Sequence, residues 1–365
     1  MPQIAKSVLP QDSLVLVTGA NGYIGSHIVE QLLAFGFRVR GAVRSASKVS
    51  GLQERWESKF PGKFEVVEVP DFAVDGAYDE AAKGVDAIAH VASSMIPSPS
   101  YENTVEVSVK GILNALRAAA ANSSVKRFVL TSSTVAAGVA QAGAPRETFD
   151  ESSWFKESIS YARSLPEDNP MKPGMNYLAS KTASEVAAWE FVKTEKPSFT
   201  LNTILPSVAV GEILDPSSQL GSTGKIGQSS LSRTLSLYDQ AKLTVYETLT
   251  VKDLYTGESD VWAKSLPLQN LVPVRDTALL HVGALTLPSV SNTRLFATAH
   301  SANWNDVLAI FRKLYPGKEY KDFEGQATEF STYKSEKSLE VLKELGQQGW
   351  TDMEITIKQL VAPFA

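Results

Sequence analysis

The chain has 365 residues, 43% hydrophobic and 21% charged, ordinary proportions that allow a large core and argue against a disordered chain. The absence of cysteine excludes disulfides, thiolate nucleophiles and Cys-ligated metal, and four scattered histidines (His27, His90, His281, His300) stand in no metal-binding spacing, so no metal site is expected. A net charge of −5 without a basic stripe speaks against nucleic acid and anionic membranes as partners; no apolar run approaches the roughly 18–20 residues that span a bilayer, and the opening MPQIAKSVLPQDS lacks an export or transit pattern, so a cytoplasmic protein is expected.

Over the first two hundred residues, β-rich runs alternate with longer helical patterns, the signature of βαβ units and a parallel sheet. LVLVT from Leu14 to Thr18 reads as a buried strand, and Tyr23 to Phe35 as the helix after it. FRVRGAV, ending at Val43, is a second strand, FEVVEV from Phe64 a third and VDAIAHVA from Val85 a fourth. VEVSVKGILNALRAAAAN has the Ala/Leu-rich pattern of a crossover helix; KRFVLTS, ending near Ser132, and FTLNTILP, ending at Pro206, are the fifth and sixth strands. After Pro206 the rhythm breaks: Gly211 to Gln269 is rich in Ser, Gly and Thr, while a helix over Val274 to Leu285 and a strand from Thr293 return to the sheet. The expected fold is α/β, a doubly wound parallel-sheet Rossmann fold with a smaller, discontinuous C-terminal substrate lobe. Residues 1–207 plus about 272–300 make the nucleotide-binding domain, and 208–271 with 301–365 the lobe.

VTGANGYIG places Gly19, Gly22 and Gly25 between the first strand and its helix, where a tight turn, a close approach to pyrophosphate and helix–strand packing each call for glycine. GSTGKIG repeats the spacing at Gly221, Gly224 and Gly227, but no strand precedes it, and it reads as a loop. At the end of the second strand, where an acid would mark an NAD site, stand Arg44 and Lys48. Two cations suit a 2′-phosphate, so NADPH/NADP is the expected cofactor, against the plainer reading of an exposed basic turn. Asp71 and Phe72 follow the third strand and either meet the adenine or form an ordinary turn.

YLASK sets Tyr177 and Lys181 at i and i+4 on one helix face, where the ammonium lowers the phenol's pKa and makes it a usable acid. Tyr238 with Lys242 and Tyr333 with Lys337 carry the same spacing, but they lie beyond the sheet and read as solvated helix faces. Tyr177 differs in its company, because the fifth strand delivers Ser132 and Ser133 to the C-terminal sheet edge where open α/β folds bind ligands.

Taken in order, TGANGYIG, VRSASK, VLTSST, YLASK and ILPS resemble the extended short-chain dehydrogenases/reductases, in the branch of dihydroflavonol reductases and fungal NADPH-dependent aldehyde and ketone (carbonyl) reductases. VKRFVLTSST, LNALRAAA, FRKLYPGK and the tail from Gly346 to Trp350 are most similar to the fungal aldehyde reductases, and the likeness spans nearly the whole chain. The resemblance implies Ser133 as catalytic serine, Tyr177 as acid, and Lys181 as the residue that holds ribose hydroxyls and tunes Tyr177. Cofactor contacts would map to Gly19, Asn21, Gly22, Tyr23, Ile24, Gly25, Arg44, Lys48, Asp71, Ala92 and Pro206, with Phe72, Val208, Tyr177 and Lys181 completing the set. A small-molecule aldehyde or ketone is the expected substrate, and the protein is expected to act as a monomer or homodimer. Ser108 departs from the pattern, standing where many short-chain reductases have a relay Asn, and the segment from Tyr238 to Gln269 looks longer than in the aldehyde reductases. Met95, Ile96, Met175 and Val208 either line a substrate pocket or pack as ordinary core. Two rival readings are a nucleotide-sugar epimerase or dehydratase, whose retained NAD the Arg44–Lys48 turn argues against, and an NADP(H)-sensing regulator, which usually lacks the Ser-Tyr-Lys set.

Overall fold

A computed structural model of the chain describes residues 4, 6–94, 98–139, 146–219, 251–260, 263–264, 268, 270–326 and 331–365. Strand β1 (Leu14–Thr18) alternates between two cores: Val15 and Val17 face one, Leu14 and Leu16 the other, so both sides of the sheet must be covered by helices. Helix α1 (Tyr23–Ala34) covers the first face, and β2 (Arg38–Val43), α2 (Ser50–Lys59), β3 (Phe64–Glu68) and β4 (Ala87–His90) follow. Helix α3 (Val107–Ala120) crosses the second face to β5 (Arg127–Thr131). The short strand β6 (Thr148–Phe149), α4 (Glu157–Ser164) and the long α5 (Lys172–Glu195) lead to β7 (Thr200–Pro206) and β8 (Val208–Val210). Beyond lie β9 (Asn270–Pro273), α6 (Val274–Thr286), β10 (Arg294–Ala297), β11 (His300–Ser301), α7 (Trp304–Leu314), β12 (Thr332–Tyr333), α8 (Glu336–Glu344) and α9 (Met353–Val361).

Seven strands pair in parallel in the order β10-β7-β5-β4-β1-β2-β3. This is the doubly wound sheet that the sequence predicts. Its winding reverses between β1 and β4, so the chain leaves those two strands in opposite directions and opens a crevice at their C-terminal ends. A second, three-stranded sheet (β11-β9-β8) joins a separate core in which Trp304, Val307 and Phe311 of α7 meet Ile357 and Leu360 of α9 and Val251 and Leu254. Helix α8 goes the other way. Its Val341 and Leu342 enter the same core as α1 and α6, and β12 pairs with β6 in a separate two-stranded sheet.

The structure corrects the sequence reading at two elements. A π-helical turn (Glu102–Glu106) precedes α3 where a continuous α-helix was expected from Val105. Tyr333 is no solvated helix face: it sits half-buried on β12, with its ring 5.1 Å from Phe149 and 5.4 Å from Phe296, and Lys337 donates to Thr293 Oγ1 at 2.9 Å. Gly221, Gly224, Gly227, Tyr238, Lys242, Met95 and Ile96 lie outside the described residues. Among the described residues no helix is long and apolar enough to cross a membrane, and no group of His, Asp and Glu is arranged to hold a metal ion.

Candidate active site

The glycine loop closes tightly on itself. Gly19 has φ +67° and donates its N–H to Ala42 O at 2.9 Å, and a Cβ at Gly25 would lie 2.2 Å from Gly19 O, so the turn admits no side chain there. A Cβ at Gly19 would lie 3.1 Å from the Ala92 backbone, which places Ala92 against the loop. Gly22 caps α1 without a side-chain acceptor, and the first turn carries no acid; this helix end can receive an anion. Asn21 and Ile24 are half-buried beside it, and the Tyr23 hydroxyl donates to Gly211 O at 3.0 Å.

Arg44 and Lys48 are exposed and hold no ion pair among the described residues. The turn is not free of carboxylates, as the sequence implied: Glu68 from β3 accepts the Ala46 N–H at 2.6 Å. Glu68 thus spends an oxygen on the backbone of the turn, while the two basic side chains stay available to a phosphate. Asp71 caps its own loop by accepting from Ala73 N at 2.9 Å, and Phe72 packs its ring where a Cβ on Gly111 would come within 2.1 Å. The loop 71–73 is therefore held in place by its own packing.

At the C-terminal edge, Ser133 is buried at the end of β5, its Oγ 3.5 Å from Pro206 O at the end of β7. Helix α5, on which Tyr177 and Lys181 are both buried, packs on the turn Thr134–Ala136 that Ser133 caps. Lys181, Ser132, Ala92, His90 and Ser108 line one cavity of about 20 Å³, room for about one water. The Lys181 ammonium meets no hydrogen-bond or ion-pair partner among the described residues, and burial pushes it down to about 8. His90 is pushed down to about 3, first by burial and then by the Lys181 charge, so it is neutral beside the lysine. Ser108 spends its hydroxyl proton on Thr104 O at 2.6 Å and turns only acceptor lone pairs to the cavity. Val208 begins the second sheet next to Pro206, and Met175 packs with Tyr101, Val105 and Leu178, so it belongs to the core.

Three residues near the site escaped the sequence reading. Thr18 Oγ1 accepts from the N–H groups of Val91 and Ala92, both at 3.0 Å, and pins the end of β1 to the chain leaving β4. Asn176, fully buried beside Tyr177, donates to Ser98 O and Pro99 O at 3.0 and 3.1 Å. Glu185 accepts from Ser132 Oγ at 2.7 Å, and its place four residues after Lys181 was the available signal.

The donor set fits a dinucleotide phosphate: a glycine turn at an open helix end, and, unpaired among the described residues, two cations at the second strand and a buried ammonium. A sequence profile described as the NAD-dependent epimerase/dehydratase family matches residues 15–212. The chain is 46% identical over 362 residues to aldehyde reductase 2 of Sporidiobolus salmonicolor, covering 99% of this chain and 98% of that one. It is 36% identical over 371 residues to ketoreductase adrE of Penicillium rubens, with 99% of each chain covered. Among solved structures, Gre2 of Candida albicans in complex with NADPH superimposes with a TM-score of 0.73 at 26% identity, over 97% of this chain and 100% of that one.

Proposed function

This chain belongs to the NAD-dependent epimerase/dehydratase family of extended short-chain dehydrogenases/reductases, and on that premise we propose that it reduces aldehydes and ketones to alcohols with NADPH. When bound, the reduced nicotinamide supplies the hydride. The observation that carries the reading is the meeting of Ser133 with the helix that bears Tyr177 and Lys181, at the edge where the glycine loop also opens. Tyr177 gives its phenolic proton to the carbonyl oxygen as the C=O electron pair moves onto that oxygen, and the alcohol results. The Ser133 hydroxyl donates a hydrogen bond to the same oxygen and favours the charge that builds there. Lys181, protonated below pH ~8, stabilises the phenolate that Tyr177 becomes. Gly19, Gly22 and Gly25 would hold the pyrophosphate, Arg44 and Lys48 the 2′-phosphate, and Lys181 the ribose hydroxyls. The aldehyde reductase and ketoreductase relatives support a carbonyl compound as the substrate class.

A nucleotide-sugar epimerase or dehydratase is the second reading, favoured by the family description itself. Arg44 and Lys48, without ion-pair partners among the described residues, weigh against the NAD such an enzyme retains. NADPH and NADH oxidation, measured against aryl ketones, β-keto esters, diketones and aldehydes, separates the readings. We expect NADPH-dependent turnover that falls 10²–10⁴-fold in Tyr177→Phe with NADPH affinity kept, the usual span for losing a general acid. Retained turnover in that variant refutes the role of Tyr177. Stoichiometric bound NAD without net NADPH consumption favours the epimerase, and tight NADPH binding with no turnover on any carbonyl favours a sensing regulator. The reading carries a cytoplasmic location and a monomer or homodimer, which cell fractionation and sedimentation test.

A further inference from the structure

We propose that Glu185 is a positioning residue that fixes Ser133 and Lys181 relative to each other. The inference rests on the reductase reading and deepens it. Glu185 follows Lys181 by one helical turn on α5, and it is fully buried. Its Oε2 accepts from Ser132 Oγ at 2.7 Å, while Oε1 accepts from Thr203 Oγ1 at 2.8 Å and from Arg294 Nε at 2.8 Å. One carboxylate therefore gathers the helix that carries Lys181, the strand end that carries Ser133, the neighbouring β7 and the edge strand β10. Ser132 is bonded directly to Ser133 in the chain, so the Ser132 hydroxyl ties the catalytic serine's backbone to the turn of helix beside the lysine.

Arg294 pairs with that carboxylate in a dry place. It is itself buried, and it donates from Nη1 to Glu151 O at 2.9 Å and to Ser153 O at 2.6 Å. Its guanidinium carbon lies 3.9 Å from the centroid of the Trp154 ring. The pair is thus satisfied on both sides, and through it the loop 151–154 is fastened to the same point. A buried ion pair with its hydrogen bonds filled is a rigid, directional junction, whereas a single buried charge left behind is costly. Catalysis needs such a junction, because a misplacement of ~1 Å between reacting groups costs on the order of 10²-fold in rate. No hydrogen bond of the network reaches the glycine loop or the Arg44–Lys48 turn, so its loss should slow the chemical step while the phosphate contacts, which carry most of the cofactor's hold, are kept.

The test uses the full chain with NADPH and a carbonyl substrate, and compares Glu185→Gln with the charge-neutral Glu185→Gln/Arg294→Met. Arg127→Met is the control for general damage: Arg127 is buried at the opposite end of β5, where it donates to Thr200 Oγ1 and, at 3.5 Å, to Leu287 O. We expect kcat to fall more than tenfold in both Glu185 variants with KM for NADPH within twofold of wild type. Arg127→Met should keep kcat within twofold whatever its thermal midpoint. If Glu185→Gln does not fold, the double variant decides. A fall in kcat smaller than tenfold, an equal fall in Arg127→Met, or a loss explained by KM for NADPH overturns the positioning role. A wild-type protein that oxidises NADPH with no carbonyl overturns the underlying reading instead, a different result from an active wild type with active Glu185 variants.

Discussion

Replacing Lys181 by methionine removes a buried ammonium that meets no hydrogen-bond or ion-pair partner among the described residues. Burial alone pushes this group from 10.5 down to about 8. At pH 7 the lysine is protonated in the folded and the unfolded chain, so the whole displacement counts against folding, ~3 kcal/mol at 1.36 kcal/mol per pH unit. Methionine fills much of the same space without a charge to desolvate. The variant should therefore be more stable than wild type while losing turnover, a price of function of the kind expected where a site needs an unpaired charge. Each kcal/mol moves the midpoint of a large domain by ~2 °C, so the gain at pH 7 is ~6 °C without cofactor. The sign of the pH dependence is fixed. Between pH ~8 and ~10.5 the unfolded chain binds the proton that the folded one has released, so wild type gains on the variant as pH rises, and the gap closes by pH ~10.5. NADPH at a hundred times its Kd adds ~2.7 kcal/mol to wild type and less to a variant without the ribose contact, which narrows the gap by a second route. Thermal melts from pH 7 to 10, with and without NADPH, check each step. A Lys181→Met protein less stable than wild type at pH 7, or a gap that does not narrow with pH, would refute the reasoning.

Arg44→Ala combined with Lys48→Ala should raise KM for NADPH at least tenfold and leave KM for NADH within about twofold, since only the 2′-phosphate distinguishes the two; parallel losses on both would remove that assignment. Gly25→Ala puts a Cβ 2.2 Å from Gly19 O, so the loop must shift, and fluorescence titration should show NADPH binding weakened at least tenfold; an unchanged Kd would mean that the loop does not cradle phosphate. Acid should destabilise the protein. Burial lowers His27, takes His281 down to about 4 and takes His90 down to about 3, so these rings fold neutral. Stability is fully present above pH ~6.5 and lost as pH falls toward 4, with His281 alone contributing ~3 kcal/mol of that loss. His281→Asn should flatten the melting profile between pH 6.5 and 4, and an unchanged slope would show that the acid lability arises elsewhere.

The elements that the sequence made legible are those whose signal is local. β1, the glycines and α1 are contiguous, and Tyr177 and Lys181 are four residues apart on one helix, so spacing and flanking strands are enough to read them. Spacing says nothing of burial, however, which is why Tyr333 passed for a solvated residue when Phe149 and Phe296 enclose it. The π turn at 102–106 has no local signature, and Glu68 reaches the Arg44–Lys48 turn only because β3 pairs with β2. Glu185 and Arg294 meet across 109 residues, and nothing near either one announces the other. The candidate catalytic residues could be named from the sequence; the groups packed around them required the fold.

Helix α8 has a consequence for how the protein is made. Val341 lies over Gly283 of α6, where a Cβ would come within 2.3 Å of it, and β12 reaches back 184 residues to pair with β6. During synthesis Ser133, Tyr177 and Lys181 all leave the ribosome well before these covers exist. A nascent chain that stops short of Val341 thus carries all three candidate residues with the apolar side of α6 bare, a surface suited to chaperones and to premature association. The core shared by α1 and α6 closes only once α8 has been made, so competence should follow the synthesis of α8 in one step and not arrive in stages as the βα units emerge.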